Sequence, residues 1–212
     1  MVTYNHEDQE SVDGLKGWWN KYGTAIVIVL TVMLATAGAM KAWKYYQQQQ
    51  AQQAADLYVL LKQVQTSNDS EKINDTAQLL VQSYSSSGYA SRAALIAAQA
   101  DVHAGNNKRA IQNLQWILDH AKEIEIRDLA RLRISAILLD EGKYDEALRL
   151  LDTGYSEAFS GLYWDRKGDI QVAAKRISEA RLSYQEAIDA LDKSNNYYNI
   201  VQMKLDGLGN SE

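Results

Sequence analysis

The sequence predicts an all-α protein, with one N-terminal helix apolar enough to span a membrane followed by a soluble domain of repeated helical hairpins. Three observations carry that prediction. The 212 residues include no proline, while Ala, Leu, Gln, Lys and Glu are plentiful; proline breaks helices and alanine enters them at the lowest entropic cost. Tyr22 to Met40 contains no charged side chain. Beyond Gly88, a pattern of turn residues followed by Ala and Leu recurs at near-regular intervals. The length accommodates one ordinary domain plus an anchor. A net charge of −5 leaves no basic surplus to neutralise phosphates, which disfavours nucleic acid as a partner. The absence of cysteine removes disulfides, thiolate metal sites and cysteine nucleophiles together.

The first 21 residues form a tail in which Glu7, Asp8, Glu10 and Asp13 outweigh Lys16 and Lys21. The uncharged run that follows, residues 22–40, would extend roughly 28 Å as a helix, close to the ~30 Å hydrocarbon core of a bilayer. Ile26, Val27, Ile28, Val29, Leu30, Val32 and Leu34 each favour insertion by roughly 0.3–0.6 kcal/mol. Trp18 and Trp19 at one end, with Trp43, Tyr45 and Tyr46 at the other, have the placing of two interfacial belts. Membrane lipid is therefore an expected partner. A competing reading takes Ala35-Thr36-Ala37 or Ala37-Gly38-Ala39 as a signal-peptidase site; the long, net-negative leader argues against it, and the intact mass of the protein decides. Two lysines flank the run on each side, so the positive-inside rule gives no orientation. Thr31, Ala35 and Ala39 recur every fourth residue with Gly38 beside them, a small-residue face against which another membrane helix could pack, although small residues also recur in apolar spans without packing there.

Residues 41–56, rich in glutamine, are expected to continue the helix out of the membrane or to form a linker. The soluble domain is placed at residues 57–208, with 209–212 as a tail. Leu57, Leu60, Leu61 and Val64 share one helical face, as do Ile73, Ala77, Leu80 and Val81. Asn68 to Ser70 supplies a turn with N-cap chemistry, and the serine run ending at Gly88 reads as a helix terminator. Three segments then repeat: Gly105 to Ile111, Gly142 to Leu148, and Lys175 to Arg181. Their alanines, Ala110, Ala147 and Ala180, are 37 and 33 residues apart, which brackets the tetratricopeptide period of about 34 residues. Trp164, Gly168, Ala180, Tyr184 and Ala187 match that pattern best; the first two copies lack the initial aromatic and none has the closing proline. The prediction is a tetratricopeptide-like α-solenoid, with a non-repetitive helical bundle as the alternative. The segment Tyr197 to Leu208 is expected to close it as a capping helix.

In such a solenoid the first helix of each hairpin lines a shared binding surface. This register assigns Arg92, Leu95, Gln99 and Val102, then Leu129, Leu132, Ala136 and Leu139, then Leu162, Asp165, Asp169 and Val172 to a partner-binding groove. The alternative is that the leucines among them are ordinary core. Signs of chemistry are sparse. His6, His103 and His120 have no metal-ligand spacing, no phosphate-binding or nucleophile-elbow motif occurs, and Asp140-Glu141 and Asp145-Glu146 read as solvated helix ends. Neither catalysis nor a cofactor is expected.

Two features together carry a resemblance: the span preceded by an acidic tail, and a C-terminal domain of degenerate repeats. The stretch from Asp165-Arg166-Lys167-Gly168-Asp169 to Ala180-Arg181 and Tyr184, with Gln202-Met203-Lys204, is its most telling part. Over essentially its whole length the chain resembles the YfgM family, the ancillary subunit of the bacterial SecYEG translocon. The resemblance implies an inner-membrane protein with a cytoplasmic N-terminus and periplasmic repeats. It further implies association with SecYEG and with the membrane-anchored chaperone PpiD, and a role in handing translocating polypeptides to periplasmic chaperones. A scaffold for another envelope assembly or a stress-signalling complex is the alternative function.

Overall fold

The helical spacing of the chain becomes a run of paired helices in a computed structural model, which describes residues 6–67 and 69–209, with side chains from residue 16 onward. The elements are α1 (His6–Gln65), α2 (Ser70–Ser83), α3 (Gly88–His103), α4 (Asn107–His120), α5 (Ile124–Asp140), α6 (Tyr144–Leu151), α7 (Ser160–Ala173), α8 (Ile177–Ala190) and α9 (Asn196–Gly207), with a 3₁₀ turn at Glu157–Phe159. The chain divides into two units, Met1–Gln52 and Gln53–Glu212. The fold is all-α and tetratricopeptide-like.

In the first unit, α1 carries an 18-residue stretch of mean hydropathy 2.1, so by length and composition this helix can cross a membrane. Its apolar side chains, Val27 through Leu34 among them, point outward. Two of the three threonines in the uncharged run keep their hydroxyls inside the helix: Thr31 Oγ1 donates to the Val27 carbonyl and Thr36 Oγ1 to the Val32 carbonyl, both at 2.8 Å. Such back-bonding keeps these two hydroxyls paired where they face lipid. The indole of Trp19 lies over Gly23, where a Cβ would come within 3.1 Å of it. Around Gly38 there is open space, and Thr31, Ala35 and Ala39 are exposed beside it.

The second unit starts with the last turns of α1, whose Ala54 and Leu61 bury against Ile73, Ala77 and Leu80 of α2 and Ala93, Ile96 and Ala97 of α3. Asp69 caps α2, its carboxylate accepting from the Lys72 N–H at 3.2 Å, and Ser87 caps α3 after the serine run. Asn68, included in the expected turn, lies outside the described residues. Four hairpins follow from this: the end of α1 with α2, α3 with α4, α5 with α6, and α7 with α8. Helix α9 closes the array by laying Val201 and Leu205 on Tyr184, Ala187 and Ile188.

The repeat is visible in its turns. In three hairpins the same six-residue bond ends the first helix: Asn106 N–H to Asp101 O, Lys143 N–H to Leu138 O, and Arg176 N–H to Gln171 O, each 2.8 Å. This closure needs a left-handed residue just before the donor, supplied by Gly105 (φ 77°), Gly142 (φ 73°) and Lys175 (φ 61°). Lysine has a Cβ that crowds the backbone there and glycine has none. Lys175→Gly is therefore expected to stabilise the domain by about 0.5 kcal/mol, after allowance for glycine's larger unfolded-state entropy. Thermal unfolding checks this, and a lowered midpoint would show that the lysine side chain contributes more than its strain costs. Four residues after each closing donor, Ala110, Ala147 and Ala180 are 0 % exposed, so each second helix sits tight against the first.

Among the described glycines, the one with least room for a side chain lies in the last hairpin. A Cβ on Gly168 would meet the Tyr184 ring at 2.4 Å, and Tyr184 is itself buried. Gly168→Ala should therefore destabilise by about 1–3 kcal/mol despite alanine's better helix propensity, because a packed ring cannot retreat. Urea unfolding would register this as a lower midpoint at unchanged slope.

Candidate functional site

Helices α3 and α5, the first helices of adjacent hairpins, lie side by side and leave a cleft between them. Every third or fourth residue of each faces it: Gln99, Val102 and His103 from α3, and Arg133, Ala136 and Asp140 from α5, with Leu114 of α4 also lining it. The cavity measures about 240 Å³. Small side chains make the room, since Ala98 and Ala136 stand where leucine would fill the space. Across the Gln99–His103 ridge of α3 lies a second cavity of about 470 Å³, lined by Gln65, Ile73, Ile96, Ala100 and Ala104. The two cavities share Gln99 and His103, so that ridge separates two adjoining hollows.

The walls are held by polar hubs inside the domain. Asp101, 0 % exposed, accepts from Arg109 Nε at 2.6 Å, Asn74 Nδ2 at 2.8 Å, Asn113 Nδ2 at 2.9 Å and Ser70 Oγ at 3.2 Å, which ties α2, α3 and α4 together. Asp128, also 0 % exposed, accepts from the Ser156 N–H and Oγ, from Arg131 Nη1 and from the Tyr163 hydroxyl, joining α5 to α7. Burial, reinforced by the neighbouring Asp128 charge and opposed by Arg131, pushes the Tyr163 hydroxyl up to about 12. At the C-terminal end Lys204 of α9 reaches Asp165 and Asp169 of α7 at 2.8 Å each, while the Tyr197 and Tyr184 hydroxyls donate to the same two carboxylates. A buried carboxylate needs such company, because unpaired it would lose its hydration without return.

Rigid helices with a cleft of mixed polarity suit recognition of another chain, and comparison with known proteins gives that setting a family. Residues 16–210 match the tetratricopeptide repeat-like domain family. The chain is 32% identical over 206 residues to the ancillary SecYEG translocon subunit of Neisseria gonorrhoeae, covering 95% of this chain and 97% of that protein. The chain belongs to the ancillary SecYEG translocon subunit family. Proteins of the same description match from Haemophilus influenzae, 28% identical over 88% of this chain and 91% of the relative, and from Escherichia coli, 21% identical over 98% and 99%. No solved structure matches.

Within this ancillary-subunit fold, the residues assigned from sequence to a groove fall on three helices. Gln99, Val102 and Ala136 line the α3–α5 cleft. Arg92 sits at the start of α3, donating to the Gly88 carbonyl at 2.8 Å and lying 3.6 Å from Glu123. Leu95 and Leu132 are buried in the central core, with Leu129, Leu139 and Leu162 packed against it. Val172 packs on the C-terminal core. Asp165, 3 % exposed, and Asp169 are engaged by Lys204. Sequence spacing did not single out Arg133, His103 or Asp140 as cleft residues. Arg133 follows Leu132 directly, and a basic residue inside an apolar helical run was the available signal.

Proposed function

We propose that this protein is an ancillary subunit of the SecYEG translocon that receives a periplasmic chaperone of the PpiD kind and helps pass translocated polypeptides onward. The supporting observation is the near full-length kinship with proteins named as such subunits. In this reading residues 1–21 are cytoplasmic, 22–40 cross the inner membrane, 41–56 lead out of it, and the repeats at 57–208 work in the periplasm. The span docks against translocon helices through Thr31, Ala35, Gly38 and Ala39, whose small side chains allow close approach. The repeat surface holds the chaperone, since a preformed helical array binds without a large ordering cost.

Co-purification tests this reading. Full-length protein extracted in mild detergent should bring SecYEG with it, and a fragment beginning at Tyr45 should retain the chaperone while losing the translocon. Equal recovery of SecYEG by both would remove the docking role from the span, and recovery by neither would end the translocon assignment.

A further inference from the structure

Among the described residues Arg127, Arg133 and Arg181 are part-buried and form no ion pair, and of these Arg133 lines the α3–α5 cleft. Arg109 and Arg131 reach the buried carboxylates Asp101 and Asp128. Arg133, in the α3–α5 cleft, is partly buried, yet its one hydrogen bond is from Nη1 to the Leu95 carbonyl at 3.2 Å. Among the described residues no carboxylate forms an ion pair with it. Asp140, two turns along the same helix, is an exposed rim residue that makes no such contact, and burial alone lowers the proton affinity of the Arg133 guanidinium. Its Nε and Nη2 groups are not sealed from solvent, so a partner's carboxylate can take their N–H donors from water without rearranging the fold. Around it Val102, 42 % exposed, and Ala136 offer apolar wall, while Gln99 and His103 put polar groups on the ridge between the two hollows.

We infer that the α3–α5 cleft binds an acidic segment of a fixed partner protein, one Asp or Glu side chain pairing with Arg133 while a neighbouring aliphatic side chain enters the hollow beside Val102 and Ala136. This rests on the proposed partner-binding role of the repeats and narrows it. The occupant is a defined sequence and not the passing stream of translocated chains. Surfaces that accept many sequences are flexible and rich in methionine, whereas this cleft has no methionine, stands on three helices and asks for one charge at one place. A guanidinium suits that task because its planar fork grips a carboxylate by two bonds at once.

The test is an array of random 12-residue peptides, each also synthesised with Asp and Glu changed to Asn and Gln, probed with full-length protein in mild detergent. Bound peptides should be enriched in an acidic residue next to Leu, Val or Ile, and the amide versions should bind about tenfold more weakly. Arg133→Gln should erase that difference and Arg133→Lys should keep part of it. Val102→Glu, at an exposed position that leaves the core intact, should block binding by placing a carboxylate at the cleft mouth. No bound peptide, equal binding of acid and amide versions, or a preference that survives Arg133→Gln would overturn the inference. In cells, a photoreactive group at residue 102 should give an adduct of fixed mass that persists when protein synthesis is stopped. An adduct that vanishes with synthesis would make the occupant a translocating chain and overturn the fixed partner. Recovery of SecYEG with the wild-type protein reports separately on the translocon assignment, so either idea can fail alone.

Discussion

Asp101→Ala is expected to lower the stability of the repeat domain by about 3 kcal/mol, a loss of roughly 10 °C in thermal midpoint for a domain of this size. The carboxylate is fully enclosed and accepts from four side chains on the two neighbouring helices, α2 and α4. Removing it leaves Asn74, itself buried, and Asn113 with donors that water cannot easily reach, and opens a small void at the junction of α2, α3 and α4. Arg109 limits the damage, since it is partly exposed and keeps Glu71 at 3.0 Å. Asp140→Ala, at an exposed site in α5, serves as the comparison and should shift stability by less than about 0.5 kcal/mol. Circular dichroism during heating measures both. A loss below about 1 kcal/mol for Asp101→Ala would mean that the hub is solvated in the native protein.

The second large effect concerns the first unit. Val29→Arg with Val32→Arg places two guanidinium groups near the middle of the uncharged run, on side chains that are 59 % and 57 % exposed. Each arginine at a membrane centre costs roughly 2.5–3.5 kcal/mol, and each valine removed forfeits a few tenths, so insertion should become less favourable by about 6–7 kcal/mol. Alkaline carbonate extraction of membranes gives the readout. The wild-type protein should stay with the pellet and the double variant should leave it. A double variant that still resists extraction would show that something other than this helix holds the protein to the membrane.

The fold was legible where physics acts locally. A chain without proline, a charge-free run of span length and alanines at a period near 34 residues need only helical geometry to be read, and Ala110, Ala147 and Ala180 all lie at sealed helix–helix contacts. The turn closures were half legible: Gly105 and Gly142 announce their left-handed backbone, whereas Lys175 adopts it through the pull of the surrounding repeat. The cleft was the hard part. Spacing along α3, α5 and α7 shows which residues share a face, but not whether a distant side chain covers it. Lys204 lies 39 residues beyond Asp165, and only tertiary packing brings its ammonium onto that carboxylate. Arg133 posed the reverse difficulty, because a single basic residue amid Leu, Ile and Arg carries no mark that its counter-ion is missing.

The buried carboxylates also divide the labour of stiffness within the repeats. Asp101 rivets α2, α3 and α4 into one block, while Asp128, Asp165 and Asp169 rivet α5 through α9 into another. Across the seam between the blocks run weaker stitches: Arg133 to the Leu95 carbonyl, and the exposed pairs Arg92 with Glu123 and Asn107 with Glu141. Beneath those stitches one apolar core runs unbroken from Ala98 and Leu114 to Ile134 and Ile137. The polar ties are therefore interrupted at the surface of the seam while its floor is continuous, so a guest seated there completes the missing ties between two blocks whose spacing is already set.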